Sequence, residues 1–191
     1  MSEVKLLAVV GMSGSGKSTA IEYLTDKGIP KVYFGGVIYK AMEEAGVERT
    51  EDGESEKIFR QEIREREGKD FVVKRVVDEV KRLIEAGQKR IVLDGLYSWT
   101  EYKILKKEFP GEMTTVAVVM GKRLRHKRVA ERPERPFDAQ AINERDWSEI
   151  ENLEKGGPIA IADYYIVNDG SISELHKEMG EVAREIGLLQ Q

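Results

Sequence analysis

The feature that most constrains this chain is a glycine-rich segment that follows a short apolar run near the N-terminus. Residues 4–10 are almost entirely apolar, and residues 11–18 have the sequence GMSGSGKS. This segment matches the pattern G-x-x-x-x-G-K-[ST] of the phosphate-binding P-loop at every fixed position. A strand should precede such a loop and a helix should follow it, and residues 19–27, with Ile21 and Leu24 on one face, predict that helix.

The residue types of this loop suit the phosphates of a nucleotide. Glycines let the backbone turn so that its N–H groups point at phosphate oxygens, at the positive end of the following helix. We expect Lys17 to reach the β- and γ-phosphates of ATP and the Ser18 hydroxyl to coordinate Mg²⁺. The nucleotide-binding residues predicted in this segment are Gly11, Ser13, Gly14, Ser15, Gly16, Lys17, Ser18 and Thr19.

The composition restricts the class of protein and its partners. The 191 residues are 35% charged and 40% hydrophobic, which suits a single α/β domain over residues 1–191. A net charge of −4 argues against nucleic acid as a bulk partner, though not against a local basic site, and the absence of cysteine excludes disulfides. The apolar N-terminal run is too short for a signal peptide, and no stretch approaches a membrane span. We therefore expect a cytoplasmic protein; the oligomeric state is left open.

The rest of the chain alternates between short apolar runs and amphipathic segments. Further strands are predicted at 31–34, 90–93, 114–120 and 163–167, the first ended by Gly35-Gly36. Helices are predicted at 37–45, 54–67, 70–86, 100–109, 138–154 and 171–186, and the acidic segment 43–56 is predicted as a mobile, solvated loop. This alternation predicts an α/β fold of three layers, a five-stranded parallel sheet with helices on both faces.

Asp94 is the second residue expected at the nucleotide site. It ends an apolar strand and is followed by Gly95, which is the usual position of the Walker-B carboxylate that holds Mg²⁺. An acid after a strand is also common as a turn residue or a helix cap. Given the P-loop, we expect Ser18 and Asp94 to hold the metal. We expect Lys17 and Asp94 to be catalytic residues.

A strongly basic segment follows the fourth predicted strand. Residues 121–135 hold seven Lys or Arg and two Glu. Arginines here would stabilise the charge that develops on the γ-phosphate, and a lid that carries them would exclude water. Arg128 and Arg132 share a helix face with Arg125, so we expect these three to be catalytic residues of a lid over about 122–146. The alternative is a solvated basic helix that pairs with segment 43–56.

The segment Asn168-Asp169-Gly170-Ser171 follows the fifth predicted strand. In open α/β sheets, loops at the carboxyl ends of the strands form the ligand crevice. We therefore expect Asn168 and Gly170 to contact the adenine ring. A turn that caps the last helix accounts for the same sequence equally well and does not exclude that contact.

Together these segments resemble the dephospho-CoA kinase and nucleoside monophosphate kinase group of P-loop kinases. The P-loop, Asp94-Gly95, the basic segment and the sequence ADYYIVNDGSISEL at 162–175 carry the likeness over most of the chain. Glu144-Arg145-Asp146 and residues 162–171 are similar to dephospho-CoA-kinase-like proteins. The resemblance implies a five-stranded core, a lid, a helical acceptor-binding region at about 36–86, and ATP and Mg²⁺ as cofactors.

The acceptor half departs from this group in two places. These kinases commonly carry an acid after the second strand, the expected base for the acceptor hydroxyl in dephospho-CoA kinase, where this chain has Gly35-Gly36. Kinases resembling adenylate kinase place an arginine after the Asp-Gly pair, where this chain has Leu96-Tyr97. Asp94 is then the obvious remaining base for a hydroxyl acceptor. The candidates for gripping an acceptor phosphate are Arg60, Arg64 and Arg75.

Three functional hypotheses follow from the sequence. The first is a kinase that transfers the γ-phosphoryl of ATP to a small nucleotide-like acceptor, either dephospho-CoA or a nucleoside monophosphate. The second is a nucleotide-binding regulatory module with weak or no transfer, which would also lack the usual acceptor residues. The third is an ATPase acting on nucleic acid through the basic segment, which the net charge opposes. We expect the first, with neither nucleic acid nor membrane as a partner.

Overall fold

The computed structural model describes residues 3–50, 54–68, 70–132 and 137–190, with the side chains of Glu54, Lys57 and Arg64 left aside. Within these ranges five parallel strands form one sheet in the order β2-β3-β1-β4-β5. The strands are β1 (Lys5–Val10), β2 (Lys31–Tyr33), β3 (Arg90–Asp94), β4 (Met113–Val119) and β5 (Tyr164–Val167).

Helices cover both faces of the sheet, as the sequence predicts. They are α1 (Lys17–Thr25), α2 (Phe34–Glu44), α3 (Glu54–Glu67), α4 (Phe71–Glu85), α5 (Trp99–Glu108), α6 (Lys122–Ala130), α7 (Ala139–Glu151), α8 (Gly156–Ala160) and α9 (Ile172–Glu185). None of the helices in the described ranges is both long and apolar enough to cross a membrane.

The central strand β1 divides the core into two apolar layers. Leu6, Ala8 and Val10 pack with residues of α2, α3, α4 and α5 on one face of the sheet. Leu7 and Val9 pack with α1 and α9 on the other face. Because successive side chains of a strand point to opposite faces, a stretch buried on both faces must be apolar throughout, as β1 is from Leu6 to Val10.

Register between the parallel strands sets the position of the functional groups. Val9 pairs with Asp94, and Tyr33 pairs with the same residue from the other side of β3. The loops after β1, β2 and β3 therefore all leave the sheet at the carboxyl ends of its strands. This arrangement places the P-loop, which follows β1, beside Asp94 and the start of α2.

Two short segments differ from the sequence prediction. The second strand ends at Tyr33, and Gly35 and Gly36 lie in the first turn of α2 instead of forming a turn before it. A Cβ atom at Gly35 would overlap the Tyr33 ring, so the absent side chain makes room for this aromatic residue. Helix α8 was not predicted, because two glycines and a proline in five residues give no helical signal.

The acidic segment 43–56 also differs from the predicted loop. Glu43 and Glu44 belong to the last turn of α2, and residues 54–56 belong to the first turn of α3. Residues 45–50 are not helical, and residues 51–53 lie outside the described ranges.

Candidate active site

The P-loop is packed between α6 and the loop that joins β5 to α9. A Cβ atom at Gly14 would overlap the side chain of Val129, and one at Gly16 would overlap the Asn168 amide. Both glycines have positive φ angles, of 87° and 100°. The Asn168 Nδ2 donates a hydrogen bond of 2.8 Å to the Ser15 carbonyl. These positions therefore require glycine for two reasons, close approach and a left-handed backbone.

A cavity of about 470 Å³ opens on this side of the P-loop. Most of the residues that the sequence predicted to bind the nucleotide line this cavity. The described residues that line it are Gly14, Gly16, Lys17, Ser18, Thr19, Arg128, Arg132, Asn168, Gly170, Ser171, Ile172 and Leu175. We call this space the donor cavity; its apolar wall of Ile172 and Leu175 and its basic rim suit a base and phosphates respectively.

Arg128 connects the basic helix α6 to the β5–α9 loop. Its guanidinium donates to the carbonyl of Asn168 at 3.0 Å and to that of Gly170 at 2.9 Å. These bonds fix the backbone of the loop that the sequence predicted for adenine contact. Arg128 therefore shapes the donor cavity as well as lining it.

Arg125, the second predicted lid arginine, is placed differently. Its terminal nitrogens bond both carboxylate oxygens of Asp146, at 2.7 and 2.5 Å, and one also donates to the Ser13 carbonyl at 3.0 Å. Arg125 is buried and is not among the described lining residues of the donor cavity. Its guanidinium thus fastens α6 to α7 and the P-loop, where the sequence predicted a group facing the phosphates.

Lys17 lies between the donor cavity and a second cavity, and it lines both. Its Nζ donates a 2.9 Å hydrogen bond to the Met12 carbonyl. Burial, and next the charge of Lys155, lower the pKa of Lys17 to about 7. The charges of Glu149 and Asp94 act in the opposite direction and raise the pKa of Lys17. Phosphates placed here would favour the charged form.

Asp94 ends β3 beside the P-loop and forms a 3.3 Å ion pair with Lys31. The described residues contain no group of three or more acids or imidazoles that would hold a metal alone. Mg²⁺ in nucleotide sites binds one or two protein oxygens, phosphate oxygens and waters. The partly buried Asp94 carboxylate and the exposed Ser18 hydroxyl offer oxygens of this kind, so the residues present fit the ion.

The second cavity, of about 270 Å³, lies on the other side of Lys17, against α2, α3 and α7. We call it the acceptor cavity. The described residues that line it are Ser13, Lys17, Tyr33, Phe34, Gly35, Ile38, Arg60, Val72, Tyr97, Glu101, Arg145, Glu149, Leu153 and Lys155. Of the three arginines proposed for an acceptor phosphate, Arg60 is here. Arg75 pairs with Glu44 and lines a separate space beside β2, and the side chain of Arg64 lies outside the described residues.

Glu149 is the centre of a hydrogen-bond network in the acceptor cavity. Its carboxylate accepts bonds from the backbone N–H of Ser13 at 2.9 Å, from the Ser13 hydroxyl and from Lys155 Nζ at 2.8 Å. Arg145 Nε lies 3.4 Å away. The side chains of Glu149 and Lys155 are only 3% and 6% exposed. Burial opposes ionisation of Glu149, but the charge and hydrogen bond of Lys155 and the two hydrogen bonds from Ser13 outweigh it and lower the pKa of Glu149.

Sequence reasoning missed Tyr97, Glu149 and Lys155 as site residues. Glu149 and Lys155 lie more than 130 positions from the P-loop in sequence, and no short motif links them to it. The only available signal was Glu144-Arg145-Asp146, because Arg145 and Glu149 lie one turn apart on α7. Tyr97 enters the sequence analysis only through the pair Leu96-Tyr97, which stands where kinases resembling adenylate kinase carry an arginine.

Comparisons with known proteins agree with this architecture. The AAA domain family matches residues 7–155. A UPF0200 protein of Sulfurisphaera tokodaii is 32% identical over 97% of this chain and 99% of its own length.

Two solved structures have the same fold at low sequence identity. Dephospho-CoA kinase from Campylobacter jejuni aligns with a TM-score of 0.58 at 17% identity, over 97% of this chain and 98% of its own. Shikimate kinase from Bacteroides thetaiotaomicron aligns with a TM-score of 0.59 at 11% identity, over 95% and 98%. At such identities the likeness concerns the fold alone. The chain therefore belongs to the UPF0200 family, contains an AAA domain and has a P-loop kinase-like fold.

Proposed function

We propose that this protein is a Mg·ATP-dependent phosphotransferase that moves the γ-phosphoryl group of ATP to a small nucleotide-like acceptor. The observation that carries the proposal is that Lys17 lines two cavities, one on each side of the P-loop. A kinase needs this arrangement, because the transferred group must contact donor and acceptor sites at once. Dephospho-CoA, on the resemblance of the sequence, and nucleoside monophosphates are the two candidate acceptors.

The donor half is assigned from the residues of the donor cavity. P-loop N–H groups and Lys17 would hold the β- and γ-phosphates, and the predicted set Gly11, Ser13, Gly14, Ser15, Gly16, Lys17, Ser18 and Thr19 forms that loop. Arg128 and Arg132 would stabilise the negative charge of the phosphates, while Arg125 positions the loop through Ser13. Asn168 and Gly170 would contact the base.

The proposed metal residues are Ser18 and Asp94. Their oxygens would hold Mg²⁺, which would supply positive charge against the phosphates. Before the nucleotide binds, the Asp94 carboxylate lies 3.3 Å from the Lys31 ammonium.

A second candidate is a regulatory module that binds nucleotide with weak or no transfer. It is favoured by the first turn of α2, where glycines occupy the position at which the resembling kinases carry an acid. In this alternative the acceptor cavity would receive no acceptor, and ATP binding alone would change the state of a partner.

The proposal is tested by Mg·ATP-dependent ADP formation with dephospho-CoA, AMP, CMP, UMP, GMP and no acceptor. A Lys17→Ala variant runs beside wild type, with Lys27→Ala, at an exposed position just beyond the end of α1, as the matched control. Acceptor-stimulated turnover that Lys17→Ala loses and Lys27→Ala retains would support a kinase. ATP binding without stimulation by any acceptor would favour the regulatory module.

A further inference from the structure

The acceptor cavity carries an excess of positive charge. Its described lining residues include four basic side chains and two carboxylates: Lys17, Arg60, Arg145, Lys155, Glu101 and Glu149. Lys155 is almost fully buried, and its Nζ also lies 4.4 Å from the centre of the Tyr97 ring. Glu149 lies within ion-pair distance of both Lys155 and Arg145, but the lining still holds four basic side chains against two carboxylates. The cavity is therefore electrostatically suited to an acceptor that brings negative charge with it.

The carboxylates around the cavity are poorly placed to take a proton. A hydroxyl acceptor needs a base within hydrogen-bond reach. Glu149 already accepts bonds from Ser13 and Lys155. Glu101 accepts the N–H groups of Tyr97 and Ser98, both at 2.9 Å, and caps α5. Asp94 is paired with Lys31 and is the expected metal residue.

The two histidines of the chain do not supply the missing base. His126 bonds Asp146 at 2.8 Å, and His176 on α9 stacks on Tyr23. Neither belongs to the described lining of the acceptor cavity. Lys155 Nζ lies 2.8 Å from the Glu149 carboxylate and Lys17 Nζ donates to the Met12 carbonyl at 2.9 Å, so both lysines are hydrogen-bond donors in this structure.

We propose that the nucleophile of this protein is a phosphate oxygen of a phosphomonoester, held by Lys155, Arg145 and Arg60, and not a hydroxyl group. This inference rests on the proposed phosphotransferase function. The acceptor oxygen forms a new bond to the γ-phosphorus of ATP, the bond to the β,γ-bridging oxygen breaks, and ADP leaves with that electron pair. The product is a phosphoanhydride. A monoester dianion has no proton on the attacking oxygen, so the step needs no base.

A second space gives room for the organic part of this acceptor. A cavity of about 590 Å³ adjoins the acceptor cavity and shares Arg60, Tyr97, Glu101 and Leu153 with it. Its wall also carries the hydrogen-bonding side chains of Gln61, Ser98 and Asn152. An aromatic ring beside amide and hydroxyl groups suits a heterocyclic base. The acceptor class that fits both spaces is a nucleoside monophosphate.

The experiment compares acceptors that differ only by the phosphate. ADP formation from Mg·ATP is measured with adenosine and AMP, cytidine and CMP, uridine and UMP, guanosine and GMP, and with dephospho-CoA, which offers hydroxyl groups. We expect at least one monophosphate to raise turnover about tenfold or more above its nucleoside and above dephospho-CoA. Phosphorus NMR of the product should show an anhydride.

The outcomes separate this inference from the function on which it rests. Transfer to a nucleoside or to dephospho-CoA, with a phosphate ester as product and no response to monophosphates, overturns the inference and leaves the phosphotransferase standing. ATP binding with no stimulation by any acceptor overturns the phosphotransferase itself.

Variants of the acceptor cavity test the assignment of its cations. Arg60→Ala should raise the KM for the monophosphate about tenfold and leave the KM for ATP unchanged. Because Lys155→Met alone would strand buried Glu149, the double variant Lys155→Met/Glu149→Gln is used, and it should also raise the KM for the monophosphate about tenfold. Its KM for ATP is not a control, because Glu149 also bonds Ser13 in the P-loop. Lys107→Ala, an exposed lysine on α5, is the control and should change neither constant. An unchanged acceptor KM in both cavity variants overturns the assignment.

Discussion

Arg125 and Asp146 form a buried, two-bonded ion pair that joins α6 to α7, with side chains only 7% and 10% exposed. The same guanidinium donates to the Ser13 carbonyl in the P-loop. The two ends of the predicted lid segment, 122–146, are thus held together at the nucleotide site, and residues 133–136 between them lie outside the described ranges. A closing motion that moved α6 away from α7 would therefore have to break this pair.

Replacing Asp146 should destabilise the fold strongly. Asp146→Asn leaves Arg125 buried beside a neutral amide, and removing one partner of a buried pair typically costs about 3–5 kcal/mol. Urea unfolding measures the loss. The control is Glu131→Gln, which breaks an exposed pair with Lys127 on the same helix α6 and should change stability by less than about 1 kcal/mol. Equal effects of the two variants would contradict the structural importance of the pair.

The same pair predicts a dependence of stability on pH. Burial raises the pKa of Asp146, but bonds to Arg125 and His126 outweigh it, so the pKa lies below its ordinary value of 3.8. A lowered folded-state pKa contributes stability above pH 3.8 that is lost as the pH falls through the folded pKa. The difference in unfolding free energy between wild type and Asp146→Asn should therefore be constant near neutrality and shrink below pH 3.8. A difference that grows on acidification would contradict this sign.

Gly16 should tolerate a methyl group much less well than Gly28. Both residues have positive φ angles, 100° and 83°, so alanine strains the backbone at each by about 1–2 kcal/mol. At Gly28 the added Cβ meets open space, whereas at Gly16 it overlaps the Asn168 amide. Gly16→Ala should therefore lose more stability and also weaken ATP binding. Thermal unfolding and equilibrium ATP titration of the two variants check both effects, and equal losses would refute the close contact.

Arg128→Ala should weaken nucleotide binding without unfolding the protein. It removes two hydrogen bonds to the carbonyls of Asn168 and Gly170, and each bond from a charged group is worth roughly 1.5–3 kcal/mol. Because these bonds fix the wall of the donor cavity, we expect the Kd for ATP to rise about tenfold. Arg123→Ala, at an exposed position of α6, is the matched control in the same titration. An unchanged Kd would show that the loop holds its shape without Arg128.

The donor half of the site was predictable because its residues are local in sequence. The P-loop residues are consecutive, and the backbone conformation of the loop itself requires their glycines. Asp94 was predictable as the end of an apolar strand, and the parallel order of the sheet then places it beside the P-loop. The segments after the fourth and fifth strands hold Arg128, Arg132, Asn168 and Gly170. These strands run parallel to β1, so the segments lie at the same end of the sheet as the P-loop.

The acceptor half was not predictable, since it depends on packing between distant segments. Lys155, which caps the start of α8, is linked to the P-loop through Glu149 on α7, and a proline and two glycines concealed α8 itself. The partner of Arg125 was equally hidden: its charge predicted a phosphate ligand, and only the fold placed Asp146 against it. The sequence by itself determined the sheet, most of the helices and the phosphate loop, because strand burial and backbone turns are set by neighbouring residues. The tertiary structure alone decided which charges neutralise each other and which face a cavity, because that depends on distances between side chains that sequence separation does not encode.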